Sequence, residues 1–290
     1  MTRKPTPKAQ RDPETTGHVW DGIEEFNNPL PRWWLWTFYA TIIFAIGYVI
    51  AYPAWPLING ATPGVLGYST RAEVAKDIAG FDARNADLLA QLTSADLEAI
   101  PQDDALNRFA VQAGAAVFRT NCSQCHGSGA AGVQAGGYPN LLDDDWLWGG
   151  TIEDIHTTVS HGIRNESDPD ARFSQMPAFG EMLTPEEITQ AANHVRAISG
   201  QSHDAGLATK GAVVFADNCA ACHGENGEGN RALGAPTLND AIWLYGGDMK
   251  TLTETITNAR FGVMPAWQQR LREADIRAVA IYVHQLGGGE

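Results

Sequence analysis

The longest uninterrupted apolar stretch of the chain is WWLWTFYATIIFAIGYVIAYPAWPL, residues 33–57, and it contains no charged side chain. At about 1.5 Å per residue, Trp33 to Trp55 crosses a hydrocarbon core of about 30 Å as a helix. A single membrane span is therefore expected. Trp33, Trp34 and Trp36 crowd one end and Tyr52 and Trp55 the other, where amphipathic rings favour the two interfaces. A buried core helix and a cleaved signal peptide are the alternatives. A signal peptide has a shorter apolar region, and Pro-Ala-Trp-Pro makes a poor cleavage site.

Beyond this stretch the apolar positions follow a helical period. DALNRFAVQAGAAVF (104–118) and GLATKGAVVF (206–215) read as amphipathic helices. Thr184-Pro185-Glu186-Glu187 has the spacing of a capping box, with proline at the first helical position. It starts a helix running to about Ser199, before Gly200, and another runs from about Glu273 to Leu286, before three glycines. No alternating apolar run of strand character competes, so the expected fold is mainly α with long loops.

These elements recur because the sequence does. Shifted by 97 residues, GAAVFRTNCSQCHG (114–127) falls on GAVVFADNCAACHG (211–224), and YPNLLDDDWLWGG (138–150) on APTLNDAIWLYGG (235–247), with Trp146 over Trp243. Further on the offset is 88, and SQMPAF (174–179) meets GVMPAW (262–267). The first copy carries about nine extra residues around RNESDPDAR. The expected organisation is an N-terminal segment over 1–32, a membrane helix over 33–57, a helical linker over 58–105, and two repeats over 106–200 and 201–290.

Charge adds an orientation. Thirty-four acidic residues against 20 basic ones give a net charge of −14, which argues against nucleic acid and points to a basic partner. Residues 1–32 hold five basic and five acidic residues, so the whole excess lies in residues 58–290. Arg3, Lys4, Lys8, Arg11 and Arg32 precede the apolar stretch, and the next basic residue is Arg71. The positive-inside bias then places the N-terminus in the cytoplasm and the repeats outside.

All four cysteines fall in the repeated Cys-x-x-Cys-His: Cys122, Cys125 and His126, then Cys219, Cys222 and His223. A disulfide or a thioredoxin-type site has no use for the histidine, and the βαβ context of a redox motif is missing. Zinc would want the two cysteine pairs about 15–20 residues apart, and these are 97 apart. The motif suits covalent attachment of two haem c groups, each thiol pair adding to the two vinyl groups and each histidine reaching the iron. The remaining axial position falls to Met176 and Met264, which occupy matched Met-Pro positions among five methionines. His/Met ligation saturates the iron and suits electron relay. Met182 and Met249 have no repeat partner and read as packing residues; His18, His156, His161, His194, His203 and His284 read as surface or structural groups. Repeat symmetry makes it natural to pair Met176 with His126 and Met264 with His223, while a crossed arrangement uses the same residues.

The repeats resemble class I cytochrome c domains, so the expected architecture is one N-terminal transmembrane helix followed by two such domains in tandem. That resemblance implies that Pro139 and Pro236 offer carbonyls to the rings of His126 and His223, and that Trp146 and Trp243 donate to haem propionates or pack. Over almost the whole chain, HVWDGIEEFNNPLPRWWLWTFYATIIFAIGYVIAYPAWP (18–56), GYSTR (67–71), YPNLLDDDWLWGG and SQMPAFG resemble the dihaem subunit, subunit III, of cbb3-type cytochrome c oxidases. This implies a bacterial inner-membrane protein with periplasmic haem domains that is not an enzyme by itself. It would pass electrons from a donor cytochrome c to the monohaem subunit and on to the haem–copper catalytic subunit. A stand-alone anchored shuttle, or the accepting subunit of a periplasmic dehydrogenase, has the same haem chemistry. A dihaem peroxidase would need an open iron, which the paired methionines oppose.

Overall fold

A computed structural model describes residues 14–290, in two compact units, Met1–Ala83 and Arg84–Glu290. Arg3, Lys4, Lys8 and Arg11, on which the expected orientation rests, lie outside the described residues.

The first unit opens with an antiparallel hairpin that the absence of long alternating runs did not lead us to expect. Strand β1 (Thr15–Trp20) pairs with β2 (Ile23–Phe26). Asp21 and Gly22 make the turn with φ of 51° and 82°, the positive values that a tight two-residue hairpin turn demands and that Asp-Gly supplies. The legible signal was VWDGIEEF, with Asp-Gly between two short apolar-bearing runs. Helix α1 (Arg32–Ala51) follows, 20 residues or about 30 Å. None of its residues is buried, and Trp33, Trp36, Ile43 and Phe44 are each about 70% exposed, an apolar surface that calls for a lipid rather than an aqueous surrounding. The helix stops six residues short of the expected 33–57, because Pro53 cannot continue it. A second small hairpin, β3 (Pro56–Leu57) with β4 (Gly60–Ala61), comes next.

From α2 (Thr70–Arg84) the chain is helical. It continues through α3 (Ala86–Ser94), α4 (Asp104–Val117), α5 (Ser123–His126), α6 (Ile152–His161), α7 (Pro185–Ile198), α8 (Ala205–Asn218), α9 (Ala220–His223), α10 (Met249–Asn258) and α11 (Glu273–His284). Their starts are written locally. Asp103, Thr151, Thr184, Asp204 and Asp248 each cap a helix by accepting from a backbone N–H, and Thr184 with Glu187 completes the capping box read from the sequence.

Tertiary packing does not follow the order of the repeats. Helix α4 of the first repeat packs against α11 of the second, and α8 of the second against α7 of the first. Glycine permits both crossings: a Cβ on Gly114 would lie 2.1 Å from the Ala278 carbonyl oxygen, and one on Gly211 would lie 2.0 Å from that of Gln190. Gly114 and Gly211 are 97 apart, Gln190 and Ala278 88 apart, so the two crossings are copies of one another. The cores follow the same exchange. Phe118, Ile155 and Val159 of the first repeat are buried with Ile276, Val279 and Val283 of the second. Phe215, Leu252 and Ile256 of the second are buried with Phe179, Ile188 and Val195 of the first. Part of the expected linker joins in, since Leu92 and Ile100 are fully buried against α4 and α11.

Candidate haem sites

The second Cys-x-x-Cys-His motif begins where α8 ends and the first is joined to α4 by a π turn over Phe118–Cys122; each then forms one short turn of its own, α5 or α9. Gly127 and Gly224 then take φ of 80° and 81°, a left-handed conformation that glycine adopts without a Cβ penalty. This sharp exit leaves His126 and His223 half-buried at the head of the loop that follows. His126 Nδ1 lies 3.2 Å from the Pro139 carbonyl oxygen and His223 Nδ1 2.9 Å from that of Pro236. A carbonyl only accepts, so each Nδ1 carries the proton and each Nε2 keeps its lone pair. Burial lowers both imidazole pKa values from their ordinary range, which also favours the neutral ring that a metal requires.

No disulfide joins any of the four cysteines. Burial, and then the neighbouring thiol, push Cys122 and Cys219 up to about 11. The direction is opposite to the lowering that activates a disulfide-exchange thiol. Beside the first pair lies an open, largely apolar cleft. Phe118, Leu141, Trp146, Ile155, Val159, Val279 and Val283 line it, with Cys122, His126 and Pro139 on one side. An apolar slot walled by Cys122 and an available imidazole nitrogen, with Cys125 on the same short turn, suits a haem attached by two thioethers.

The methionine in that slot is Met264, not Met176. Met264, Cys122 and Trp146 all pack against one buried cluster, whereas Met176, Cys219, Leu238 and Trp243 pack against another. The exchange of helices carries the methionine loops with it, because each loop leads directly into an exchanged helix. A pair of backbone hydrogen bonds, Ile163 N–H to the Met264 oxygen and Met264 N–H to the Ile163 oxygen, both 3.0 Å, ties the Met264 loop to the first repeat. Gly162 makes room for it: a Cβ there would sit 2.3 Å from the Met264 oxygen and 2.8 Å from Ala266 N, at a φ of +76°. Gly162→Ala is therefore expected to displace Met264 and cost on the order of 1–3 kcal/mol. The checking measurement is the weak far-red absorbance of methionine-ligated ferric haem, which should fall by about half. Ala259 ends α10 with a φ of 52°; no such loss should follow Ala259→Gly, which relieves strain instead.

Trp146 donates its indole N–H to the Gly288 carbonyl oxygen at 2.5 Å, and the Trp243 indole lies over Gly247. Met249 lies in the third core cluster as a packing residue, but Met182, expected to pack, is 59% exposed. Its position just before the α7 cap leaves it outside the core. Of the other histidines, His156 meets Glu273, His161 meets Asp168, His194 faces the Phe215 ring, His203 lies against the Gln201 carbonyl and His284 against that of Glu290, while His18 is exposed on β1.

Two features were missed at the sequence level. Arg172 and Arg260, 88 apart in matching Ala-Arg-Phe triplets, each stack on the aromatic residue at equivalent positions, Trp148 and Tyr245. Those aromatics in turn sit where glycine leaves space in the opposite repeat, Trp148 over Gly234 and Tyr245 over Gly137. The triplet match at the offset already set by Met-Pro was the available signal. A second, polar cleft lies between the two histidine-to-tryptophan loops, lined by Asp144, Asp145, Glu228, Arg231 and Asp240. Burial, then Asp240 and Asp143, push Asp145 up to about 6, so its ionisation is opposed until the pH exceeds that value.

Comparison with known proteins places this geometry in a lineage. Residues 12–59 match the N-terminal domain of cytochrome oxidase-cbb3, FixP, and residues 109–195 and 206–283 match cytochrome c oxidase, cbb3-type, subunit III. The chain belongs to the cbb3-type subunit III family. It is 65% identical over the full length of both chains to the cbb3-type cytochrome c oxidase subunit CcoP of Cereibacter sphaeroides. To subunit CcoP of Rhodobacter capsulatus it is 54% identical, again over all of both chains. To subunit FixP of Sinorhizobium medicae it is 53% identical over 96% of this chain and 95% of that one. As a member of the subunit III family it is a membrane-anchored cytochrome c-type electron-transfer subunit, mostly helical, with two cytochrome domains in tandem and a single helix, among the described residues, long and apolar enough to span a bilayer.

Proposed function

We propose that this chain relays electrons from a donor cytochrome c to the monohaem and haem–copper subunits of a cbb3-type oxidase, and performs no catalysis itself. The observation that carries the reading is the pair of Cys-x-x-Cys-His turns, each with its histidine Nδ1 bonded to a proline carbonyl and each sharing its buried cluster with one methionine. Cys122, Cys125, His126 and Met264 would hold one haem c, and Cys219, Cys222, His223 and Met176 the other. Bound haem supplies a one-electron couple, and a thioether sulfur opposite an imidazole raises its potential. The protein's part is to fix the imidazole tautomer, to wall the metal from water with Phe118, Val279 and Val283 at the first site, and to present both centres outside the membrane. Helix α1 anchors the chain with its N-terminus in the cytoplasm and the haem domains in the periplasm. The net charge of −14 steers a basic donor toward this domain, more strongly at low salt.

Gentle solubilisation of native membranes and capture by a C-terminal tag tests the reading. Oxygen uptake and a carbon-monoxide-sensitive high-spin b haem are expected to accompany two c haems on this chain. Capture of the chain alone, with low-spin c haem and no oxygen uptake, would instead support the anchored shuttle.

A further inference from the structure

We propose that Arg164 is a positioning residue that clamps the two methionine loops to each other, so that axial ligation at the two haem centres is set jointly. The inference rests on the crossed His/Met reading above. Arg164 donates from Nε to the Gly262 carbonyl oxygen at 2.7 Å and from Nη1 to the Ser174 carbonyl oxygen at 2.8 Å. Gly262 lies two residues before Met264, and Ser174 two residues before Met176. One guanidinium thus bonds the same position in both loops. Only a planar fork with donors on separate edges does this from a single side chain; an ammonium is a point donor.

The backbone around Arg164 is held with unusual firmness. Its φ is 49°, a left-handed conformation that a non-glycine residue adopts only where its surroundings impose it. Its own N–H donates to the Arg172 oxygen at 2.8 Å, and its predecessor Ile163 makes both hydrogen bonds to the backbone of Met264. The guanidinium is half-buried and lies over the Phe261 ring at 5.9 Å, adjoining Gly262. Arg164 also breaks the symmetry of the molecule. It falls in the nine-residue excess of the first repeat and has no counterpart in the second, whereas Arg172 and Arg260 are a matched pair that each serve their own side. The excess segment therefore has a use: it brings a single cation to the junction of two otherwise equivalent loops.

Removal of the fork has two consequences at both centres. Each loop loses a charge-assisted hydrogen bond two residues from its methionine, and the junction of the loops loses a half-buried positive charge that would disfavour the oxidised state of a haem bound beside them. The test is a spectroelectrochemical titration of the purified full chain as Arg164→Met, Arg164→Lys and Arg164→Gln, with the far-red ferric band recorded for each and a thermal melt as the control for folding. In Arg164→Met both midpoint potentials are expected to fall and both haems to contribute to a loss of far-red absorbance. Lysine restores the charge and recovers the potentials in part; glutamine, which keeps an amide donor without the charge, recovers the far-red band in part. A cycle with Met176→Ala supplies the decisive number: loss of Met176 should shift the haem on Cys122 in the wild type, and that cross-effect should vanish in Arg164→Met. Unmoved potentials in Arg164→Met, a shift confined to one haem, or a cross-effect that survives would each overturn the clamp. A wild-type protein with no far-red methionine band would overturn the ligand assignment beneath it instead.

Discussion

Ending the chain at Leu271 should damage the first haem centre and spare the second. The truncation removes α11 (Glu273–His284), which in sequence belongs to the second repeat. In space its buried Ile276, Val279, Ile281 and Val283 complete the cores around α4 and the Cys122 motif. At about 1.5–3 kcal/mol for each such side chain buried, the loss is about 6–12 kcal/mol, comparable with the whole stability of a typical domain. The haem on Cys122 and Cys125 should remain covalently attached but turn high-spin in an exposed slot. The centre on Cys219 and Cys222 has its own helices, α7, α8 and α10, and should stay low-spin. Optical spectra and peptide mapping of the truncated chain check this. A low-spin first centre beside a high-spin second one is the outcome that sequence order alone predicts.

The methionine substitutions should cross in the same way. Met264→Ala is expected to lower the potential of the haem on Cys122 and Cys125, and Met176→Ala that of the haem on Cys219 and Cys222, because Met264 shares a cleft with His126 and Met176 shares a buried cluster with Cys219. The effect is large, since an open or water-bound axial position removes a ligand that holds the potential up. Redox titration with each haem identified by its attached peptide provides the measurement. Gly162→Ala should resemble Met264→Ala, because it displaces the loop that carries the sulfur without removing it.

Much of this was legible from residues alone, for definite physical reasons. The attachment motif is local, so its spacing could be read directly, and so could the helix caps at Thr184 and the apolar run of α1. The Nδ1 bonds to Pro139 and Pro236 rest on the shared spacing of 13 residues between histidine and proline, which the cytochrome c likeness supplied. Which helix packs on which was not legible. The repeats are near copies, so α7 and α11 present equivalent faces to equivalent glycines, Gly114 and Gly211, and either partner would satisfy the pattern. What separates the two arrangements is the path of the loops after α6 and α10, where Ile163 bonds Met264 across about 100 residues, as Ile163 N–H to the Met264 oxygen at 3.0 Å and its reciprocal. The β1–β2 hairpin escaped for a different reason: its strands are six and four residues long, too short for an alternation to stand out, and only Asp21-Gly22 marked it.

The most direct test of the exchanged sites is nuclear magnetic resonance of the reduced, diamagnetic full chain in detergent micelles, with isotope in the methionine methyl groups alone. The haem ring current shifts an axial methyl far upfield, and Met264→Leu identifies which upfield signal is Met264. The account predicts Overhauser contacts from the Met264 methyl to the haem whose thioethers are Cys122 and Cys125. Contacts to the haem on Cys219 and Cys222 would contradict it.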